Sequence, residues 1–214
     1  MGRRGDQSFR IGQRRKGFRR QFGLDRSGPP PSQTLSGQPL RPWTIPNAVG
    51  YLRLAGLPVF LILAFSSGDG RDPWAAAIFW LIAVGDYVDG FLARATGQYS
   101  RMGAMLDPVV DRLTILCGAV VCWHFELLPR WALAVLVVRE LVTFVLAQIA
   151  LRRGQQLKIN WLGRIAIWPT MAAIFFAMIS ESPVWDVTLI VGVVLGIMGT
   201  IAYVRTGLRE PATA

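Results

Sequence analysis

The sequence has few of the residues that build disulfide or metal–thiolate sites. Its 214 residues include 2 cysteines and 1 histidine. Cys117 and Cys122 are five residues apart in one apolar stretch, and on a helix this spacing directs them to different faces, so no disulfide between them is predicted. The single histidine, His124, leaves no Cys/His cluster of the zinc-binding type. The sequence therefore argues against a disulfide scaffold and against a zinc site.

Charged residues are also scarce, and they are unevenly distributed. Asp, Glu, Lys and Arg make up 17% of the chain and apolar residues 52%, yet the net charge is +10. Residues 1–43 carry ten basic and two acidic residues, whereas residues 44–214 carry thirteen and eleven. A soluble domain this apolar would expose large hydrophobic patches. We therefore predict a basic tail attached to a nearly neutral integral membrane body.

The tail, residues 1–43, is rich in Arg, Gly, Gln, Ser and Pro and shows no apolar period. This composition predicts a disordered segment. No apolar core follows the first charges within 30 residues, so the tail is not interpreted as a signal peptide. Because it is tethered to a membrane body, contact with anionic lipid headgroups is favoured over nucleic-acid binding, and no nucleic-acid partner is expected.

Six long apolar runs follow the tail. They cover residues 47–66, 73–92, 105–127, 131–151, 161–180 and 184–204. Each is close to the ~20 residues that a helix needs to cross the hydrocarbon core of a bilayer. Because backbone groups in lipid must be satisfied within the segment, we predict an all-α domain of six transmembrane helices over residues 44–206, with a short C-terminal tail, 207–214.

Charge then predicts the orientation of the bundle. With the N-terminal tail inside the cell, nearly all basic residues of the connecting segments are cytoplasmic, and the outer loops keep only Arg71 and Arg130. This asymmetry follows the positive-inside rule. It predicts a multi-pass protein of the cell membrane with both termini in the cytoplasm.

Four carboxylates interrupt the apolar pattern where the second run ends and the third begins. Asp86 and Asp89 are three residues apart, Asp107 and Asp111 four apart, so each pair shares one helix face. Four acids this close to a bilayer need a counter-charge. Basic residues nearby could supply it, but all-oxygen ligands also suit one or two divalent cations such as Mg²⁺, Mn²⁺ or Ca²⁺. A structural ion-pair network, or the ion path of a non-enzymatic cation transporter, is the alternative.

The spacing of these acids narrows the choice. Residues 86–111 read DYVDGFLARATGQYSRMGAMLDPVVD, which resembles the signature of the CDP-alcohol phosphotransferase family, D-x2-D-G-x2-A-R-x8-G-x3-D-x3-D. All eight fixed positions are present with every spacing kept: Asp86, Asp89, Gly90, Ala93, Arg94, Gly103, Asp107 and Asp111. The resemblance covers the predicted six-helix body and excludes the tail.

The resemblance implies an enzyme that transfers a substituted phosphate from a CDP-linked donor to an alcohol and releases CMP. It implies two divalent cations, Mg²⁺ or Mn²⁺, held by the four aspartates, and Asp111 as the general base. It implies that Gly90 and Arg94 bind the CDP group, while Ala93 and Gly103 leave room for it. Family members are commonly homodimers, and the resemblance implies the same here.

The first apolar run indicates the branch of the family. It begins TIPNAVGYLRLAG, similar to phosphatidyltransferases with a Pro-Asn pair before the first helix and an arginine one to two turns later. The resemblance implies CDP-diacylglycerol as donor, with Asn47 and Arg53 near it. Asn47 is also suited to cap the helix. Arg53 is expected to face the acid cluster or a phosphate, the alternative being that it extends to the membrane interface.

The acceptor is predicted from basic residues in and between the fourth and fifth runs. Arg139, Lys158 and Arg164 would attract an anionic alcohol such as glycerol 3-phosphate, phosphatidylglycerol or inositol phosphate. Arg139 could instead pair with the adjacent Glu140.

The fifth run is similar to the G-K-x-K-T stretch of phosphatidylglycerophosphate synthases but departs from it. Gly163 and Arg164 stand for Gly-Lys, while Ala166 and Ile167 replace the second Lys and the Thr. Glycerol 3-phosphate remains the favoured acceptor. The missing lysine raises the alternative of a cardiolipin synthase that uses phosphatidylglycerol, with phosphatidylinositol phosphate synthesis as a third possibility.

Overall fold

A computed structural model describes residues 39–152 and 161–209. Within these ranges the chain forms helices and no strand. The six helices are α1 (Ile45–Ser66), α2 (Pro73–Thr96), α3 (Arg101–His124), α4 (Arg130–Arg152), α5 (Trp161–Ala177) and α6 (Pro183–Arg209). The predicted all-α class is confirmed. Most of the predicted basic tail and all of residues 210–214 lie outside the described residues.

The helices extend beyond several apolar runs at their polar ends. α2 continues to Thr96 and α3 already begins at Arg101, because polar residues with good helix propensity continue a helix after its apolar stretch ends. At its other end α3 stops at His124, three residues before the apolar run does. Glu126 there has a φ of 56°, and the amide of Leu127 donates to the carbonyl of Cys122 (3.0 Å), which closes the helix with a left-handed turn.

Three helical segments in the described part of the chain are long and apolar enough to cross a membrane: Ile45–Ser66, Pro73–Thr96 and Pro183–Ala202. Asp107, Asp111 and Arg112 interrupt the apolar stretch of α3. The apolar part of α5 that the structure describes, Ile165–Ala177, is shorter than a span. The membrane character predicted from the sequence therefore rests on three clear spans, fewer than the six expected.

The chain divides into two compact units. The first contains residues up to Ala55 together with Leu81–Asp111, that is, the start of α1, the end of α2 and the start of α3. Gly50 allows α1 and α3 to approach closely, since a Cβ there would lie 2.8 Å from the side chain of Leu106. All four signature aspartates belong to this unit.

The second unit contains Gly56–Trp80 and the chain from Arg112 onward. Its core includes the paired rings of Phe60 and Phe79, 5.4 Å apart, and the buried side chain of Ile174. α5 packs against α6 where Gly192 faces the backbone of Thr170; a Cβ on residue 192 would lie 2.9 Å from the Thr170 amide nitrogen. A side chain at that position would force the helices apart.

Candidate active site

The acidic residues of α2 and α3 meet around one arginine from α1. Arg53 donates from Nη1 to Asp89 Oδ2 (3.0 Å) and from Nη2 to Asp111 Oδ1 (2.6 Å). Nη1 also lies 3.5 Å from Asp86 Oδ1. Arg53 and Asp89 are buried, each with a side chain 4% exposed, whereas Asp86 and Asp111 are 48% and 43% exposed. The cluster thus has a closed side at Asp89 and an open side at Asp86 and Asp111.

The fourth signature acid, Asp107, belongs to the same cluster. Its carboxylate interacts electrostatically with Asp86, Asp111 and Arg53. The acidic faces of α2 and α3 therefore meet in one cluster. Of the two surroundings expected for Arg53, the acid cluster or a phosphate, the structure shows the acid cluster, where the arginine provides a counter-charge.

The donor chemistry of the cluster fits hard divalent cations, because every ligand atom is a carboxylate oxygen. The oxygens are nevertheless arranged around a guanidinium group. In residues 39–152 and 161–209, no three or more Asp, Glu, His or Cys side chains are grouped closely enough to hold a metal ion. The assignment of Asp86, Asp89, Asp107 and Asp111 as cation ligands therefore stays a prediction from the sequence.

The signature residues beside the acids are close to one another. A Cβ on Gly90 would lie 3.2 Å from Nη1 of Arg94, one helical turn further along α2, so the glycine leaves room for that guanidinium. Ala93 lies on the same stretch and is half-buried. A small residue beside an arginine is the arrangement expected where a phosphate approaches a helix backbone.

Asn47 has a different place from the one expected. Thr44 caps α1, since its Oγ1 accepts from the Asn47 amide (3.3 Å). The Asn47 side chain instead donates to the carbonyls of Arg41 (3.1 Å) and Pro42 (3.0 Å) and accepts from the hydroxyl of Ser100 (2.8 Å). The helix-cap expectation was therefore wrong. Asn47 joins the segment before α1 to the start of α3.

Ser100 and Gly103 also take part in this contact between Asn47 and the start of α3. Ser100 Oγ accepts from the Gly103 amide (2.9 Å), which makes Ser100 the N-cap of α3. A Cβ on Gly103 would lie only 2.6 Å from Asn47 Oδ1. Gly103 thus leaves room for Asn47. Sequence reasoning missed Ser100, although a serine directly before a helix is a recognisable capping signal.

Gly103→Ala is expected to destabilise the protein by about 1–3 kcal/mol, because the new methyl group displaces the buried Asn47 amide. Ala104→Ser is the matched control, since it adds one heavy atom at the exposed neighbouring position. Thermal unfolding in detergent compares the two variants with the parent chain. Equal midpoints for Gly103→Ala and the parent would contradict the role given to this contact.

The second unit contains a buried group of charges that the sequence revealed only in part. Arg139 donates to Glu140, and Arg112 Nη1 donates to both Glu140 Oε2 (2.5 Å) and the Glu140 carbonyl (2.8 Å). Gly196 of α6 leaves space for Arg139, because a Cβ there would lie 2.9 Å from its Cζ. The structure thus gives Arg139 the partner offered as the alternative to acceptor binding. Arg112 pairs with Glu140.

The other two residues expected at the acceptor site are not placed by the structure. Lys158 lies outside the described residues, and Arg164 lies in α5 with its side chain outside the described part. Both stay predictions from sequence.

Comparison with known proteins agrees with the signature. A family model described as CDP-alcohol phosphatidyltransferase matches residues 43–198. That range includes all four aspartates of the cluster as well as Arg53 and Arg139.

Several curated relatives match over most of their length. A cardiolipin synthase (CMP-forming) of Streptomyces coelicolor is 39% identical over 150 residues, covering 68% of this chain and 70% of the relative. A CDP-diacylglycerol–glycerol-3-phosphate 3-phosphatidyltransferase of Bacillus subtilis is 27% identical over 153 residues, covering 66% and 79%. A protein of the same name from Cereibacter sphaeroides is 31% identical over 134 residues, covering 61% and 59%.

Proposed function

The chain belongs to the CDP-alcohol phosphatidyltransferase family, and on that basis we propose that it transfers a phosphatidyl group from CDP-diacylglycerol to an alcohol, releasing CMP, in phospholipid biosynthesis. The observation that carries the proposal is the meeting of the signature acids of α2 and α3 around one buried cation, Arg53. Residues separated by up to 58 positions in sequence thus form one charged cluster, as a phosphoryl-transfer site requires.

The reaction requires the acid cluster to bind divalent cations and to accept a proton from the acceptor hydroxyl. The acceptor hydroxyl oxygen attacks the phosphorus bearing diacylglycerol, and the bond from that phosphorus to the CMP oxygen breaks. Asp111 accepts the hydroxyl proton; its carboxylate is on the open side of the cluster, accessible to an acceptor. Asp86, Asp89 and Asp107 would join Asp111 in holding Mg²⁺ or Mn²⁺. Bound cations supply positive charge that stabilises the phosphates of the donor and the departing CMP.

The donor is proposed to lie along the signature residues of α2. Arg94 with its neighbour Gly90 is placed to bind a phosphate of the CDP group, with Ala93 and Gly103 as small neighbours. Asn47 contributes by connecting the segment before α1 to the start of α3 beside Gly103. Both of its side-chain amide hydrogens have backbone partners, so neither is available to donate to the nucleotide.

The membrane arrangement is proposed to be six spans, three more than the segments that are long and apolar enough by themselves. α3 is made less apolar by Asp107, Asp111 and Arg112, and α4 and α5 correspond to the apolar runs 131–151 and 161–180 of the sequence. The charge asymmetry supports cytoplasmic termini in a cell-membrane protein. The homodimer implied by the family stays a prediction.

Phosphatidylglycerol is proposed as the acceptor, which would make the product cardiolipin. The 39% identical relative carries the name cardiolipin synthase, against 27% for the glycerol-3-phosphate enzyme of Bacillus subtilis. The missing second lysine, at Ala166, points the same way, because a dianionic headgroup phosphate needs more positive charge than a phosphodiester. Glycerol 3-phosphate, favoured from the sequence, becomes the second candidate.

An assay with several acceptors distinguishes phosphatidylglycerol from the other candidate acceptors. Purified chain is incubated with CDP-diacylglycerol, Mg²⁺ and one acceptor at a time: phosphatidylglycerol, glycerol 3-phosphate or inositol phosphate. The proposal expects cardiolipin as the main lipid product, formed at least about tenfold faster than phosphatidylglycerophosphate. Faster formation of phosphatidylglycerophosphate, or of phosphatidylinositol phosphate, would contradict the acceptor and leave the transferase reaction intact.

A further inference from the structure

Every hydrogen-bonding nitrogen of Arg53 is engaged inside the protein. Besides its contacts to Asp86, Asp89 and Asp111, its Nε donates to the Ile82 carbonyl of α2 (2.8 Å). The side chain is 4% exposed. An arginine held this way serves as an internal cation of the acid cluster, and its burial leaves little of its surface open to a donor phosphate.

The aliphatic part of the Arg53 side chain is also closely packed. A Cβ on Gly85 would lie 2.7 Å from Cδ and 2.8 Å from Cγ of Arg53. The arginine thus crosses α2 through the space that Gly85 leaves open. Gly85 is outside the eight signature positions, so its place beneath this arginine emerges from the structure.

We propose that Arg53 is a positioning residue that acts as a tethered competitor of the divalent cations. Its guanidinium holds Asp89 and Asp111 together by occupying oxygens that a divalent cation also needs, and its charge repels that cation. Arg53 thereby stabilises the clustered acids and weakens divalent-cation binding. The inference rests on the proposed function, because it takes the four aspartates as the cation ligands.

The competition follows from charge and from shared atoms. Four carboxylates in one cluster repel one another, and a buried guanidinium offsets one of the four negative charges. A divalent cation gains less binding free energy from a cluster whose negative charge is already partly neutralised. A cation that binds Asp111 through Oδ1 must also share this oxygen with Arg53, which donates to it at 2.6 Å, or displace the arginine from it. Removing the arginine should therefore tighten cation binding while loosening the cluster without cations.

The test compares Arg53→Met with Arg205→Met, the same substitution at an exposed arginine of α6. Binding of Mn²⁺ to purified protein in detergent is measured by electron paramagnetic resonance of the free ion, and thermal unfolding is measured in EDTA and in Mn²⁺. Arg53→Met is expected to bind Mn²⁺ at least about tenfold more tightly than the parent. It should also unfold at lower temperature in EDTA and regain most of the loss in Mn²⁺, whereas Arg205→Met matches the parent.

Arg53→Lys keeps the test valid if the methionine variant does not fold in EDTA. Lysine retains the charge, but its single ammonium group cannot bridge two carboxylates as a guanidinium does, so a smaller increase of about threefold in Mn²⁺ affinity is expected. Parent-like or weaker Mn²⁺ binding by the Arg53 variants, with binding by the parent, would overturn this inference alone. Absence of Mn²⁺ binding by the parent chain would contradict the proposed cation site, and this inference with it.

Discussion

Asp111→Asn is expected to lower the rate of CMP release by about a thousandfold or more while CDP-diacylglycerol still binds. A positioned general base contributes roughly 10²–10⁴ in rate, and loss of a cation-binding carboxylate adds to that effect. An asparagine carbonyl can still accept the hydrogen bond from Arg53, so the variant should fold. The measurement is single-turnover CMP release with saturating acceptor, alongside donor binding at equilibrium.

Asp69→Asn is the matched control for this variant. Asp69 is exposed and accepts from the Arg71 amide (2.9 Å), a contact that asparagine retains. The control should keep the activity of the parent chain. If Asp111→Asn turned over at more than about a tenth of the parent rate, Asp111 would not be the base, and the open side of the cluster would need another group for the proton.

Glu140→Gln is expected to destabilise the second unit strongly. Glu140 has a side chain 7% exposed and is shared by Arg112 and Arg139, whose guanidinium groups would lose their common counter-charge. Removing one partner of a buried ion pair costs about 3–5 kcal/mol. For a chain of this length that corresponds to a fall of roughly 6–20 °C in the unfolding midpoint.

An exposed ion pair provides the comparison for Glu140. Glu126 and Arg130 are 2.9 Å apart with side chains 70% and 51% exposed, so Glu126→Gln should cost less than about 1 kcal/mol. Thermal unfolding of both variants in the same detergent gives the difference. Equal midpoints would mean that Glu140 does not neutralise the two arginines in the way the contacts indicate. Lower activity with unchanged stability would instead point to a role for Arg139 at the acceptor.

The helices and the position of the acid cluster could be predicted from the sequence. Apolar runs of about span length indicate helices directly, and the signature places Asp86, Asp89, Asp107 and Asp111 by spacing alone. Helix ends were less predictable, as at Arg101, since hydropathy reports burial in lipid and not helix propensity. The number of spans was also less predictable, because charged residues such as Asp107 and Asp111 lower the mean hydropathy of α3.

Partner choice among charged groups could be predicted only in part: the sequence offered Arg53 to the acids and Glu140 to Arg139, but not Arg112 to Glu140. Arg94, Arg101 and Arg112 are nearer to the acids along the chain, yet Arg53, from another helix, makes the ion pairs with three of them. Arg112 follows Asp111 directly but pairs with Glu140. Adjacent residues on a helix point in different directions, so neighbours in sequence readily join different clusters.

The role of Asn47 was missed for a related reason. A polar residue near a helix start suggests a cap, but the Asn47 side chain instead donates to the nearby Pro42 carbonyl and accepts from the distant Ser100 hydroxyl. Which of two local hydrogen-bonding patterns forms depends on tertiary packing, here on the space that Gly103 leaves.

The most direct measurement of the central claim is alcohol-dependent release of CMP by the purified chain. Protein in detergent or vesicles is given CDP-diacylglycerol and Mg²⁺ or Mn²⁺, with and without phosphatidylglycerol, glycerol 3-phosphate and inositol phosphate. The account predicts CMP release that requires one of these alcohols, stops on chelation of the divalent cation, and is matched mole for mole by new phospholipid. No CMP above background with any of the three acceptors would contradict it.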